Sequence, residues 1–241
     1  MSDQEKPVVF QLFLEGLRHM DTELYREMCK VATVRPAQGA DEALALLAEN
    51  PRPHAIYYAA RQDRQDSTDP KHHMVAQRVI DYARGGSTVV LGPYHPTTGW
   101  PVPDAAWITT HWGLPWRLSA PIHGSSVLNL AASGRPAGDG PWHAGLPGLY
   151  EIAGCPLINL APEDCLYLCA PEPDYPEEPD EAPEDSEDEE GIDVDSIHPR
   201  DIRASVALTR VGEGYVGYAA DTKLRDGTKE VVFAMMGLKS L

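Results

Sequence analysis

The chain has 241 residues, 42% of them hydrophobic, and a formal net charge of −17; that length supports one or two domains and that hydrophobic content supports a packed core. Fourteen of the 37 acidic residues fall between Pro171 and Asp195, where no Lys or Arg occurs, leaving 23 acids against 20 bases, or −3, for the rest. This balance argues against capture of a nucleic-acid backbone, which needs Lys and Arg to displace counterions, and no apolar run reaches the ~20 residues that span a bilayer.

From the N-terminus, Pro7 to Leu14 is a nearly continuous apolar run, the pattern of a parallel strand covered by helices on both faces. Leu17, Met20, Leu24, Met28 and Val31 then recur at three- and four-residue intervals and predict an amphipathic helix. Ala32 to Arg35 reads as a short strand closed by Pro36. Asp41 and Glu42 open a second helix, with Ala43, Leu44, Leu46 and Leu47 on its apolar side and Asn50-Pro51 as its stop. His54 to Ala60 is a third strand. A polar loop from Arg61 to Pro70 leads to a helix carrying Val75, Val79 and Tyr82, and Gly85-Gly86 ends it. Ser87 to Leu91 is the fourth strand. Alternation of strand and helix from residue 7 to residue 91 implies βαβ units and a parallel sheet.

Beyond residue 91 the pattern is less regular. Asp104 opens a short helix that runs to Trp112 and is closed by Gly113 and Pro115. Ile122 to Leu130 and Ala153 to Leu160 read as strands, with a Gly- and Pro-rich loop over 131–149 between them. The acidic stretch buries too little to offset its ordering entropy, so residues 171–199 are expected to form a disordered insertion in a single domain covering 1–241. Ser205 to Thr209 and Tyr215 to Ala220 bracket Arg210-Val211-Gly212-Glu213-Gly214 as a hairpin. A last apolar run spans Val231 to Met236. The polar start Met1 to Lys6 lacks the apolar run of a signal peptide; with four cysteines this predicts reduced thiols and a cytoplasmic location, the nucleus also being allowed.

Two stretches carry a family resemblance. Val79-Ile80-Asp81-Tyr82-Ala83-Arg84-Gly85-Gly86-Ser87-Thr88-Val89-Val90-Leu91-Gly92 and Val211-Gly212-Glu213-Gly214-Tyr215-Val216-Gly217-Tyr218 resemble the class I glutamine amidotransferase-like superfamily, which includes the ThuA-like proteins. Trp112-Gly113-Leu114-Pro115-Trp116 is similar to uncharacterised fungal proteins of the same fold. The resemblance implies a three-layer, flavodoxin-like α/β sandwich with a mostly parallel central sheet and a late β-hairpin. It also implies a nucleophile turn, Gly-x-Cys-x-Gly, after the fourth strand, and a catalytic His at the end of the late strand. Here the turn reads Gly92-Pro93-Tyr94-His95-Pro96, with Tyr94 in the nucleophile position, and the late strand ends at Tyr218-Ala219-Ala220-Asp221 without a His. Acyl transfer from glutamine needs both a thiolate and its base, so the sequence lacks that triad.

Ligands of open parallel sheets bind beyond the carboxyl ends of the strands. That rule selects a candidate pocket of Glu15, Gly16, Arg61, Gly92, Tyr94, His95 and Asp221, the alternative being that these are ordinary loop residues. His72-His73 neighbours do not share a helix face, and nothing in the spacing of His95, His111 and His123 requires a metal. Cys165 and Cys169 lack a second ligand pair and read as buried thiols. The tryptophans between Trp100 and Trp116 read as packing residues. Ser186 lies in an acidophilic kinase motif. No metal or cofactor is expected. The expected partner is a small molecule or a protein, with no nucleic acid or membrane and with a homodimer allowed. Three functions follow: a non-catalytic amidotransferase-like binding or scaffold protein, a small-molecule hydrolase using His95 with Asp221 or Glu15, or an interaction protein acting through its acidic segment.

Overall fold

The structure, a computed structural model, describes residues 6–14, 19–49, 52–59, 70–92, 108–132, 145–170 and 202–238. Five strands form its parallel half: β1 (Val8–Phe13), β2 (Thr33–Gln38), β3 (Ala55–Tyr58), β4 (Thr88–Leu91) and β11 (Gly214–Ala219). Helices α1 (His19–Val31), α2 (Ala40–Leu47) and α3 (Pro70–Arg84) connect the first four, and α4 (Asp226–Met235) follows the last. The remaining strands are β5 (Arg117–Leu118), β6 (Ile122–Leu128), β7 (Leu149–Gly154), β8 (Leu157–Ile158), β9 (Cys165–Cys169) and β10 (Ala204–Val211). They make one mixed sheet in the order β2-β1-β3-β4-β11-β10-β9-β6-β7, with β8 joining β10 and β5.

Helices cover both faces of the parallel half, which explains the unbroken apolar strands. One core holds Phe10, Leu12, Ile56, Val89 and Leu91 against Ala43, Leu46 and Leu47 of α2 and Val75, Val79 and Ile80 of α3. The other holds Val9, Phe13, Tyr57 and Val90 against Leu24 and Met28 of α1 and Val231, Val232, Phe233 and Met235 of α4. Alternate residues of β1 therefore serve opposite cores, as strand geometry requires.

The expectation of a mostly parallel sheet is corrected. Four ladders are parallel, but six are antiparallel. β11 turns back into β10, and from there β9, β6 and β7 extend the sheet as an antiparallel wing. Local details also differ. Pro36 does not close β2, which runs on to Gln38 with Pro36 paired to Gln11; β2 is an edge strand, where a missing N–H is tolerated. The run Ala153 to Leu160 is two strands, because the chain breaks at Cys155-Pro156 between β7 and β8. The hairpin turn is tighter than five residues: Val211 pairs with Gly214 around Gly212, which has φ 63°. Of the helix expected from Asp104, the described part is a single wide turn, Ile108–Trp112. The insertion 171–199 and most of the 131–149 loop lie outside the described residues.

Candidate functional site

Because β1, β3, β4 and β11 run parallel, their carboxyl ends share one edge of the sheet. Backbone bonds carry the pairing to the edge: Gly92 N–H donates to Tyr58 O at 2.9 Å, and Ala59 N–H to Leu12 O at 3.0 Å. β1 is flanked by β2 on one side and β3 on the other, so the strand order reverses beside it, where open α/β sheets form their ligand crevice. Gly92, the last described residue after β4, is held by close approach. A Cβ there would lie 2.9 Å from the Tyr57 hydroxyl and 3.3 Å from Ala59 Cα. The buried Tyr57 ring thus lies over the end of β4, and any side chain at 92 would displace it. Glu15, Gly16, Arg61, Tyr94, His95 and the phosphorylation candidate Ser186 lie outside the described residues.

Asp221 is placed differently from a pocket carboxylate. It is 1% exposed, and both of its oxygens accept hydrogen bonds. Oδ1 accepts from the N–H of Ala153 on β7 at 3.1 Å and of Lys223 at 3.3 Å. Oδ2 accepts from Arg225 N–H and from Thr228 Oγ1, both at 2.9 Å. The Arg225 guanidinium lies 3.7 Å from Oδ1. Asp221 therefore organises the turn that launches α4 and fastens it to the end of β7. Gly154, opposite Asp221 in an isolated bridge, is required there because a Cβ would run into the Ala220 carbonyl. A carboxylate satisfied on both oxygens has no lone pair directed at a substrate.

The same region holds a buried polar chain that no sequence pattern marks. The Ser126 and Ser205 hydroxyls hydrogen-bond to each other. The Tyr150 hydroxyl faces Ser205 and Thr228, and burial, with Tyr167 and Asp221 nearby, raises its pKa above the usual tyrosine range. Tyr150 also stacks edge-on against Tyr167, with centroids 5.0 Å apart. Asp221, Thr228, Tyr150, Ser205 and Ser126 thus tie α4, β7, β10 and β6 together. Isolated serines and a tyrosine in short strands carry no periodic signal, so only the tertiary pairing reveals the chain.

The remaining candidates separate. His111 meets His73 of α3, with ring centroids 6.3 Å apart, while His123 is exposed on β6. Among the described residues no three His, Cys, Asp or Glu side chains are grouped to hold a metal. All four thiols are free. Burial pushes Cys155 and Cys165 up to about 11 and Cys169 up to about 12, away from the thiolate that reacts or ligates. Trp112 and Trp116 are buried in the core on the α2/α3 face. A concavity of about 390 Å³ between α1 and α4 is rimmed by Glu23, Glu27, Asp226 and Glu230. Lys229 there donates to Glu23 at 2.7 Å and to Asp226 at 2.9 Å. Gln11 stands out in the opposite sense: it is fully buried, yet neither its amide oxygen nor its nitrogen has a partner among the described residues. A buried polar group left unpaired costs about 1–3 kcal/mol.

No family model and no curated protein matches this sequence. Solved structures do. A ThuA-like protein from Bacteroides uniformis aligns over 98% of this chain and 92% of its own, with a TM-score of 0.52 at 10% identity. The chain shares that protein's fold. A β-galactosidase from Bacillus circulans sp. alkalophilus aligns over 97% of this chain but 31% of its own, with a TM-score of 0.50 at 12% identity. One from Rahnella sp. R3 gives 98%, 32%, 0.50 and 12%. The chain spans about a third of the length of the β-galactosidases it matches. At these identities the likeness is one of fold. No described helix is long and apolar enough to cross a membrane.

Proposed function

We propose that this chain is a non-catalytic, amidotransferase-like protein on a flavodoxin-like frame, acting by binding a small molecule or a protein partner. The observation that carries this reading is Asp221. It stands at the end of β11, where the resemblance places a catalytic base, and its carboxylate is wholly engaged in holding α4 and β7. The sequence adds Tyr94 at the nucleophile position, and a phenol does not replace a thiolate in acyl transfer from glutamine. The raised thiols of Cys155, Cys165 and Cys169 offer no substitute nucleophile. The hydrolase alternative needs Asp221 or Glu15 to orient His95, and the first of these has no free lone pair.

The test is ammonia release from glutamine by the wild-type chain and by a variant with all four cysteines changed to serine. The expected result is no release above buffer from either. Release by the wild type that disappears in the serine variant overturns the reading.

A further inference from the structure

Helices cover both faces of the parallel half, but among the described residues only one face of the antiparallel wing is covered. Tyr150 and Tyr167 pack into the core that α4 closes, and alternation turns Leu149, Val127 and Leu168 to the opposite face. None of these three belongs to either core. Leu149 pairs in register with Val127, and Val127 with Leu168, so the three side chains stand in one row across β7, β6 and β9. Leu168 and Ile202 then line one concavity of about 370 Å³. The row is open: Leu149 is 60% exposed, Val127 42% and Ile202 39%. Five large apolar side chains are exposed among the described residues, and four of them lie in or beside the wing, these three and Leu130 just after β6. Single exposed apolar residues are ordinary, whereas a contiguous set marks a surface that is covered by a partner.

Charge narrows the choice of partner. Glu151 is exposed two residues along β7 from Leu149, and the exposed Glu163 lines the concavity; Arg203, half-buried beside Ile202, opposes them. Ala170, whose N–H donates to Ser125 O on β6 at 2.9 Å, and Ile202 are the two points at which the chain leaves and rejoins the wing. The stretch between them carries the fourteen acidic residues from Pro171 to Asp195, with no Lys or Arg in that run. A second copy on this face would bring two such runs together, and an anionic lipid surface or a nucleic acid would meet the same repulsion. A polypeptide bearing Lys or Arg beside apolar side chains has the complementary sign. Strands lie about 4.8 Å apart, so the row from Leu149 to Leu168 is about 10 Å long, close to two turns of a helix.

We propose that the open face of the wing, along Leu149, Val127, Leu168 and Ile202, docks a basic amphipathic segment of a protein partner. The proposal rests on the binding reading above and names the partner class and the surface. The probe is a labelled synthetic helix of about fourteen residues with Leu on one face and Lys on the other, followed by fluorescence anisotropy with the full chain. A second peptide carries Glu in place of every Lys. The protein variant is Val127→Thr with Leu149→Thr, since threonine keeps the strand preference while removing apolar surface. The Lys peptide should bind the wild type with a Kd of about 100 μM or better. The double variant should weaken it about tenfold or more, and so should salt at about 0.5 M, which screens the charges. The Glu peptide should not bind. The unliganded variant should melt within about 3 °C of wild type, because exposed substitutions change stability little. Four results overturn the proposal. The first is no binding of the Lys peptide to the wild type, and the second is equal binding by the double variant or of the Glu peptide. The third is a larger fall in melting temperature or failure to fold, which shows that the chain itself covers the row. The fourth is a wild-type dimer in light scattering that the variant loses, which assigns the face to a second copy. Ammonia release from glutamine would sink the non-catalytic reading without altering peptide binding, so the two failures are distinguishable.

Discussion

Asp221→Ala tests the structural role assigned to the end of β11. The substitution removes four hydrogen bonds, from Ala153, Lys223 and Arg225 N–H and from Thr228 Oγ1. Arg225 N–H opens α4, and loss of such an end contact costs about 1 kcal/mol. Ala153 N–H is buried on β7 and loses its partner, and a stranded buried donor costs about 1–3 kcal/mol. Thr228 is itself fully buried, so its hydroxyl adds to the loss. The total is about 3–5 kcal/mol, which for a domain of this size lowers Tm by roughly 6–20 °C. Asp221→Asn keeps one acceptor oxygen and should lose about half as much. The assay is a thermal melt followed by circular dichroism for the wild type and both variants. A residue held for chemistry at the expense of stability would behave in the opposite way, because its replacement is neutral or stabilising. A Tm for Asp221→Ala within 2 °C of wild type would refute the reasoning.

Gly154→Ala should abolish soluble expression or lower Tm by more than Asp221→Ala does, since its Cβ collides with the backbone carbonyl of Ala220 and no side-chain rotation relieves it; a melt of the purified variant settles the point. Burial raises Cys155 and Cys165 to about 11, above the ~8.5 of an unfolded thiol. Between these values the unfolded state has lost its proton while the folded state keeps it, so stability is full below about pH 8.5 and falls as pH rises toward 11. The fall is on the order of 2–3 kcal/mol per thiol; urea titrations at pH 7, 9 and 10.5 should show it, and Cys155→Ala should reduce it. Lys229 is 7% exposed and paired with Glu23 and Asp226. Replacing both acids by alanine should lower stability more than removing the lysine does, because it leaves the Lys229 ammonium without a partner. Lys229→Met should stay within about 1 kcal/mol of wild type, and chemical denaturation of the two variants should rank them in that order.

The parallel half was legible because its signals are local and redundant. The β1 run, the α2 stripe and Gly85-Gly86 before β4 each name an element, and their alternation names the pairing. The glycine of the late hairpin was equally plain, since Gly212 sits at positive φ where a side chain is strained. The wing was not legible. β5 and β8 have two residues each, and β9, Cys165–Cys169, is preceded by a single 3-10 turn at Pro162–Asp164. Such segments become strands only because a neighbour is present. α4 showed its apolar run but not its start, which depends on Asp221 four residues before Arg225. The candidate site was half legible for the same reason. The rule about carboxyl ends picked out Asp221, but the sequence does not say that Ala153, remote in the chain, would claim its oxygen. Gln11 carries no signal in the sequence, because one glutamine in an apolar strand conveys nothing until its burial and its lack of a partner among the described residues are known.

The central claim is that this sheet edge binds and does not react. Hydrolysis of p-nitrophenyl acetate by the wild type, set beside His95→Ala and Asp221→Asn, tests it most directly, because an activated ester reports any competent nucleophile or general base. Rates indistinguishable from buffer are expected for all three proteins. A wild-type rate above buffer that is lost in His95→Ala, with the Asp221→Asn protein still folded, would contradict it.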